Sequence, residues 1–188
     1  MLGLKDTKVL EGNSKFLQKG INSDGVVIGG FKYLTFDNGN KPYLELTLYK
    51  QGQSVDDGTK FKMYMTTDAA KDRTKTQIKH ISTKVISEED LYKIDESSTN
   101  EVDLANKLTA ALGGKVIDQM MFGSEEYYNA EGKLKYKLFL PLPPFAHQNK
   151  DGDKPTRMTY DPSNIYLHKP ATVKPDAENQ GEKDDLPF

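Results

Sequence analysis

The clearest alternation of apolar and polar positions lies at 42–50, where Leu44, Leu46 and Leu48 point one way and Tyr43, Glu45, Thr47 and Tyr49 the other. A period of two is that of a strand with one face buried. A similar run at 59–67 sets Phe61, Met63 and Met65 against Lys60, Lys62, Tyr64 and Thr66. Ahead of both, 24–36 reads as a longer strand interrupted by Gly29-Gly30. Paired glycines inside a strand predict a bulge or sharp bend, as a small closing barrel requires. Asp37-Asn38-Gly39-Asn40 supplies a hairpin turn, and Asp56-Asp57-Gly58 turns the chain again.

The period then changes. Over 68–85, Ala70, Thr74, Ile78, Ile81 and Val85 recur at helical spacing. Ser87-Glu88-Glu89-Asp90 opens a second short helix, and Ser98-Thr99-Asn100-Glu101 reads as a capping box for a third, which Gly113-Gly114 stops after Leu112. Strands resume at 115–128, turn at 129–132 and return at 133–142, with Leu134, Tyr136, Leu138 and Leu140 opposite Lys133, Lys135, Lys137 and Phe139. Three strands, a helical stretch and two strands is the order of a five-stranded Greek-key barrel of the OB type, with its helices between strands three and four. An α+β sandwich with an open antiparallel sheet is the alternative.

The ends are less patterned. Residues 1–23 carry Leu10, Phe16, Leu17 and Ile21 without a clean period and read as an N-terminal arm. The domain is expected over 24–169, including a polar loop within 146–162 and a short strand at Ile165-Tyr166-Leu167. Residues 170–188 hold scarcely an apolar side chain, too little to offset ordering entropy, and are expected to be disordered.

Composition narrows the chemistry. With no cysteine, the sequence has no disulfide, thiol nucleophile or thiolate ligand, and His80, His147 and His168 lie far apart. There is no phosphate-cradling glycine loop and no motif marking a nucleophilic serine. Asp151 and Asp153 are only a fragment of a calcium loop. The chain is therefore read as a non-enzyme without a cofactor or metal. No secretory signal opens it and no apolar run spans a bilayer, so no membrane partner is expected and the cytoplasm is the expected location.

Net charge conceals a division. The whole chain carries −2, but residues 176–188 alone carry −4, which leaves +2 for the rest, and 59–84 carry +5. On the predicted strands, lysines and rings interleave on the faces opposite the aliphatic positions: Tyr43 and Tyr49, then Lys60, Lys62 and Tyr64, then Lys133, Lys135, Lys137 and Phe139. Ammonium groups release counterions from phosphates, and rings offer platforms on which any base can stack. The same pattern also suits an ordinary solvated sheet face. On the basic helix, Arg73 and Lys75 are candidate contacts, whereas Lys79 and Lys84 read as a solvated helix face.

The chain closes Gly181-Glu182-Lys183-Asp184-Asp185-Leu186-Pro187-Phe188. A terminal ring flanked by carboxylates suits a partner pocket with an apolar floor and a basic rim. This end is similar to the acidic C-terminal tip of bacterial single-stranded DNA-binding proteins, with Leu186 where isoleucine is usual. The chain as a whole resembles a phage-encoded single-stranded DNA-binding protein. That resemblance implies an OB fold, single-stranded DNA as partner, and recruitment of replication, recombination or repair proteins through Asp184, Asp185, Leu186, Pro187 and Phe188, in the bacterial host cell. The alternative is an adaptor whose acidic tail engages a basic partner while its sheet never touches nucleic acid.

Overall fold

The computed structural model describes residues 16–36, 41–149, 158–161 and 163–171. Nine strands and three helices follow in the order β1 (Gly20–Asn22), β2 (Val26–Phe36), β3 (Lys41–Lys50), β4 (Thr59–Tyr64), α1 (Asp68–Ser82), α2 (Glu88–Ser97), α3 (Glu101–Leu112), β5 (Val116–Ile117), β6 (Gln119–Tyr128), β7 (Leu134–Phe139), β8 (Ala146–His147) and β9 (His168–Lys169). The mainly β architecture with helices between the third and fourth long strands is as expected. The count of five strands is too low, because β1, β5, β8 and β9 are short pieces of two or three residues. The segment Ile165-Tyr166-Leu167 is a turn leading into β9 rather than a strand. No helix among the described residues is long and apolar enough to cross a membrane.

Two sheets share one curled wall. β4, β3, β2 and β5 pair antiparallel in that order, and β6 pairs with β1, β7, β8 and β9. β5 and β6 are one extended segment broken at Asp118, whose carboxylate accepts the Asn149 N–H at 2.6 Å. Through this break a single strand leaves β2 and enters the second sheet, so the pairing curls into a half-barrel that stays open between β4 and β7. All pairings are antiparallel except β9 on β6.

Gly29-Gly30 makes the bulge expected of it, a register shift between Ile28 and Gly30. Gly30 has φ +145°, and a Cβ there would meet Thr109 Cγ2 at 2.9 Å. Glycine is needed because Thr109 of α3 reaches into the bulge: its hydroxyl accepts the Phe31 N–H at 2.7 Å and lies 3.0 Å from the Phe31 carbonyl. The helix thereby docks on the sheet at the point where the strand bends.

Local chemistry starts each helix. Thr67 Oγ1 accepts the Ala70 N–H at 3.2 Å, and Ser87 Oγ accepts the Asp90 N–H at 3.0 Å. The cap of α3 is Asn100, two residues beyond Ser98, the cap expected from the capping box. Asn100 Oδ1 takes the Asp103 N–H at 3.0 Å, while Asp103 accepts the Thr99 N–H at 3.0 Å, which holds its carboxyl below the usual range. Ser98 instead closes α2, its hydroxyl donating to the Ile94 carbonyl at 2.6 Å. Lys79 engages Glu88 and Tyr92, tying α1 to α2; this is the solvated-face role read for it.

Val26, Ile28, Leu46, Leu48, Ile81, Leu108, Leu112, Ile117 and Phe122 form the centre of the core. Leu44, Leu46, Leu48, Phe61 and Met63 are buried as the alternation predicts. The fifth predicted strand behaves differently: Leu134 is 52% and Tyr136 44% exposed, and only Leu138 and Leu140 reach the core. The outer half of the β6–β7 hairpin runs past the body of the domain, so both of its faces meet solvent.

Candidate nucleic-acid interface

β4 and β7 are edge strands, each paired on one side only. Between them runs a groove of about 900 Å³, floored by α1. Buried polar side chains on that helix fix the floor to both walls. Thr74 donates its hydroxyl to the Tyr64 carbonyl at the end of β4, at 3.0 Å. Gln77 donates to the carbonyls of Leu140 and Pro141, just past β7, at 2.8 and 3.2 Å. One turn further, His80 Nε2 accepts the N–H groups of Phe145 and Ala146 at 3.2 and 3.1 Å. Burial, with the Lys84 charge beside it, pushes His80 down to about 4 and keeps the imidazole an acceptor at neutral pH. Each of these groups would cost on the order of 1–3 kcal/mol if left unpaired, so the groove is a rigid feature.

Six of the expected contact residues line this groove: Lys60, Lys62 and Tyr64 on the β4 wall, Arg73 on the floor, and Lys137 and Phe139 on the β7 wall. Among the described residues its one lining carboxylate, Glu125, pairs with Lys137 at 3.3 Å. Lys60 lies 3.8 Å from Glu45, whose side chain is only 10% exposed. Replacing Lys60 would therefore expose a poorly solvated carboxylate to weaker compensation, although Lys32 and Lys62 flank Glu45 on the neighbouring strands. Among the described residues Lys62 and Arg73 make no ion pair. Lys62 lies over the Tyr43 ring at 5.2 Å, a cation–π contact that leaves its charge available.

The rings differ from expectation in an instructive way. Tyr43, read as an open platform, is 8% exposed. Phe36 and Tyr64 meet it edge-on and tilted at 5.9 and 6.1 Å, and Lys62 covers it. Tyr43 is thus the support of a ring cluster whose exposed members are Tyr64 and Phe36, at 45% and 42%. Tyr49 is half-buried and sits six residues along β3, about 20 Å away by strand rise, outside the groove. Phe139 lies flat on Gly123, where a Cβ would run into its ring, so the glycine creates the seat that holds the ring on the groove wall.

Lys75, Lys133 and Lys135 do not line the groove. Lys75 pairs loosely with Asp72 at 4.0 Å on the outer side of α1, and Lys133 is held by Glu131 at 3.0 Å in the hairpin turn. Lys135 lies opposite Tyr127, two rungs out from Glu125 and Lys137 on the projecting hairpin. Two contributors were missed by sequence reading, Phe36 and Lys169. The bulge at Gly29-Gly30 reverses the parity of β2 and hides the outward direction of Phe36; Lys169 lies in a segment without periodicity, yet sits over Phe139 at 4.8 Å. The tail residues Asp184, Asp185, Leu186, Pro187 and Phe188, the turn at 37–40, the loop at 150–157 and the arm before residue 16 lie outside the described residues.

Ser124, His168 and Glu126 form a serine–histidine–carboxylate contact set, with 3.0 Å between Ser124 Oγ and His168 Nδ1 and 3.5 Å from His168 Nε2 to Glu126. A nucleophile needs access to substrate, and Ser124 is fully buried within β6. The trio instead fastens β9 to the sheet, next to the Ser124 N–H, which donates to the Leu167 carbonyl at 2.9 Å. No protein-family model matches the chain, and no curated protein matches it.

Proposed function

We propose that the chain binds single-stranded DNA without catalysis and with little sequence preference, along the groove between β4 and β7, and recruits replication, recombination or repair proteins through its acidic segment 176–188. The single observation that carries the reading is the composition of one rigid groove: among the described residues four cations and one carboxylate, with the exposed ring of Tyr64 on one wall and the half-buried ring of Phe139 on the other. Cations follow a phosphodiester backbone, and rings take bases of any sequence. The strand order β4-β3-β2-β5, continued through β6 to β7, supports an OB-like Greek-key barrel left open between its third and fifth principal strands. Folds of this type bind single strands on the face of their second and third strands, here β3 and the groove wall β4, and the resemblance of the acidic end to bacterial single-stranded DNA-binding proteins points the same way.

Titration of labelled oligo-dT at several salt concentrations tests the reading. With Lys60, Lys62, Arg73 and Lys137 neutralising about four phosphates, the log–log slope of affinity against salt is expected near −3. Lys62→Ala should reduce it by about 0.7 with no dependence on base sequence. Absence of binding, or a slope near zero, leaves the adaptor reading in place of this one.

Lys169 lies over Phe139 at the groove wall, and the −4 segment begins seven residues further along the sequence. Carried on the same chain, that segment acts at high effective concentration near the cations. Deleting 176–188 is expected to tighten oligo-dT binding, most at low salt where screening is weakest. Phe188→Ala keeps every carboxylate, so DNA affinity should hold while capture of replication proteins falls. Weaker DNA binding after the deletion would overturn the competition.

A further inference from the structure

We infer that the binding path does not end at Phe139 but turns past Arg73 into a second cleft that holds additional nucleotides, with Tyr166 as their stacking platform. The inference rests on the single-strand reading of the main groove and extends it. The second cleft, about 480 Å³, shares Arg73, Phe139 and Leu142 with the first, so the two are one continuous depression. Its cations are Arg73 and Lys169, and among the described residues no carboxylate lines it. Arg73, which makes no ion pair among the described residues, stands at the junction, placed to hold the phosphate between the two clefts.

The apolar part of this cleft is unusual for a solvated surface. Tyr166 is 78%, Ile165 69% and Leu142 60% exposed, the three most exposed large apolar side chains among the described residues. They come from two separate stretches of chain, the turn before β9 and the segment after β7, and they converge on one cleft. The turn that presents Ile165 and Tyr166 is well fixed. Asn164 Oδ1 accepts the Tyr166 N–H at 2.9 Å, and the Asn164 carbonyl accepts from Leu167 and His168 at 2.9 and 2.8 Å. Leu167 is buried and His168 is clasped by Ser124 and Glu126. A rigid turn that leaves a tyrosine exposed beside two cations that make no ion pair among the described residues has the chemistry of a base platform with its phosphate contacts. The same side chains would also suit a protein partner; continuity with the main groove through Arg73, Phe139 and Leu142 is what favours the single strand.

Labelled oligo-dT of about 4, 8 and 16 nucleotides, spanning the site sizes of single OB folds, separates the clefts by length. Tyr166→Ala in the full chain is expected to leave affinity for the shortest oligonucleotide within twofold and to weaken the longest by about fivefold or more. Lys169→Gln should lower the salt slope by about 0.7 for the longest oligonucleotide only. Both side chains are exposed, and an unchanged melting temperature shows that the fold is intact. Equal loss at every length, or no loss at any, overturns the second cleft while leaving the main groove standing. Failure of the unsubstituted chain to bind any oligo-dT overturns both.

Discussion

Phe122→Ala is expected to destabilise the protein by about 3–5 kcal/mol, the largest single effect of any substitution considered. Phe122 is fully buried on β6, and its ring stacks on Phe61 of β4 at 5.2 Å with 17° between the planes. β4 and β6 belong to different sheets. Among the described residues no backbone hydrogen bond joins β4 to β6 or β7, so this ring pair and the α1 side chains pack across the open side of the half-barrel. Truncation removes the transfer energy of the ring and leaves a cavity that the two sheets can close only by shifting the groove walls. Against a total stability of order 5–15 kcal/mol the loss is a large fraction. Urea denaturation should show a lower midpoint with an unchanged slope. Phe61→Ala should couple to it, so that the double variant loses less than the sum of the single losses. A loss below about 1 kcal/mol, or full additivity, would mean that the sheets are held by other contacts.

What could be read from the sequence follows from which signals are local. The strands at β3 and β4 were legible because Leu44, Leu46, Leu48, Phe61 and Met63 alternate and the core lies on one side. The bulge was legible because two adjacent glycines have few other uses inside a strand. The curl itself was expected of a barrel, but the break at Asp118 that moves one strand between sheets was not, since it leaves no mark on the period. The alternation in 133–142 misled because it says which residues share a face and not whether anything covers that face; before Leu138 nothing does. Tyr43 shows the same limit from the other side: its outward direction was right, but Phe36, Tyr64 and Lys62 bury it. The polar residues Thr74, Gln77 and His80, three apart on α1, were beyond a reading by hydrophobicity, for which only Thr74 fell on the expected stripe. Their partners are main-chain groups as many as 66 residues away. The charge pattern was more informative, because Lys60, Lys62, Arg73 and Lys137 converge on one groove although they come from three separate elements.

Tyr64 and Tyr43, adjacent on paired strands and chemically identical, should give opposite results when truncated. They face each other across β3 and β4, with ring centres 6.1 Å apart. Tyr64 is 45% exposed and lines the groove, so its loss removes little packing but takes away a platform. Tyr64→Ala is expected to weaken oligo-dT binding by about 1–3 kcal/mol, a fivefold to 150-fold rise in Kd, with stability changed by about 0.5 kcal/mol at most. Tyr43 is 8% exposed and supports Tyr64, Phe36 and the stem of Lys62. Tyr43→Ala should cost about 2–3 kcal/mol of stability, and weaken binding only through disorder in the rings it supports. Tyr49→Ala, about 20 Å along the strand, should leave oligo-dT affinity alone and serves as the control. Anisotropy titrations with oligo-dT alongside urea denaturation of the three variants read both quantities on the same preparations. If Tyr64→Ala binds as tightly as the unsubstituted chain, the β4 wall is an ordinary solvated sheet edge and the groove does not take bases. If Tyr43→Ala is as stable as the unsubstituted chain, the ring cluster is not packed as the distances indicate, and Tyr43 regains its standing as an open platform.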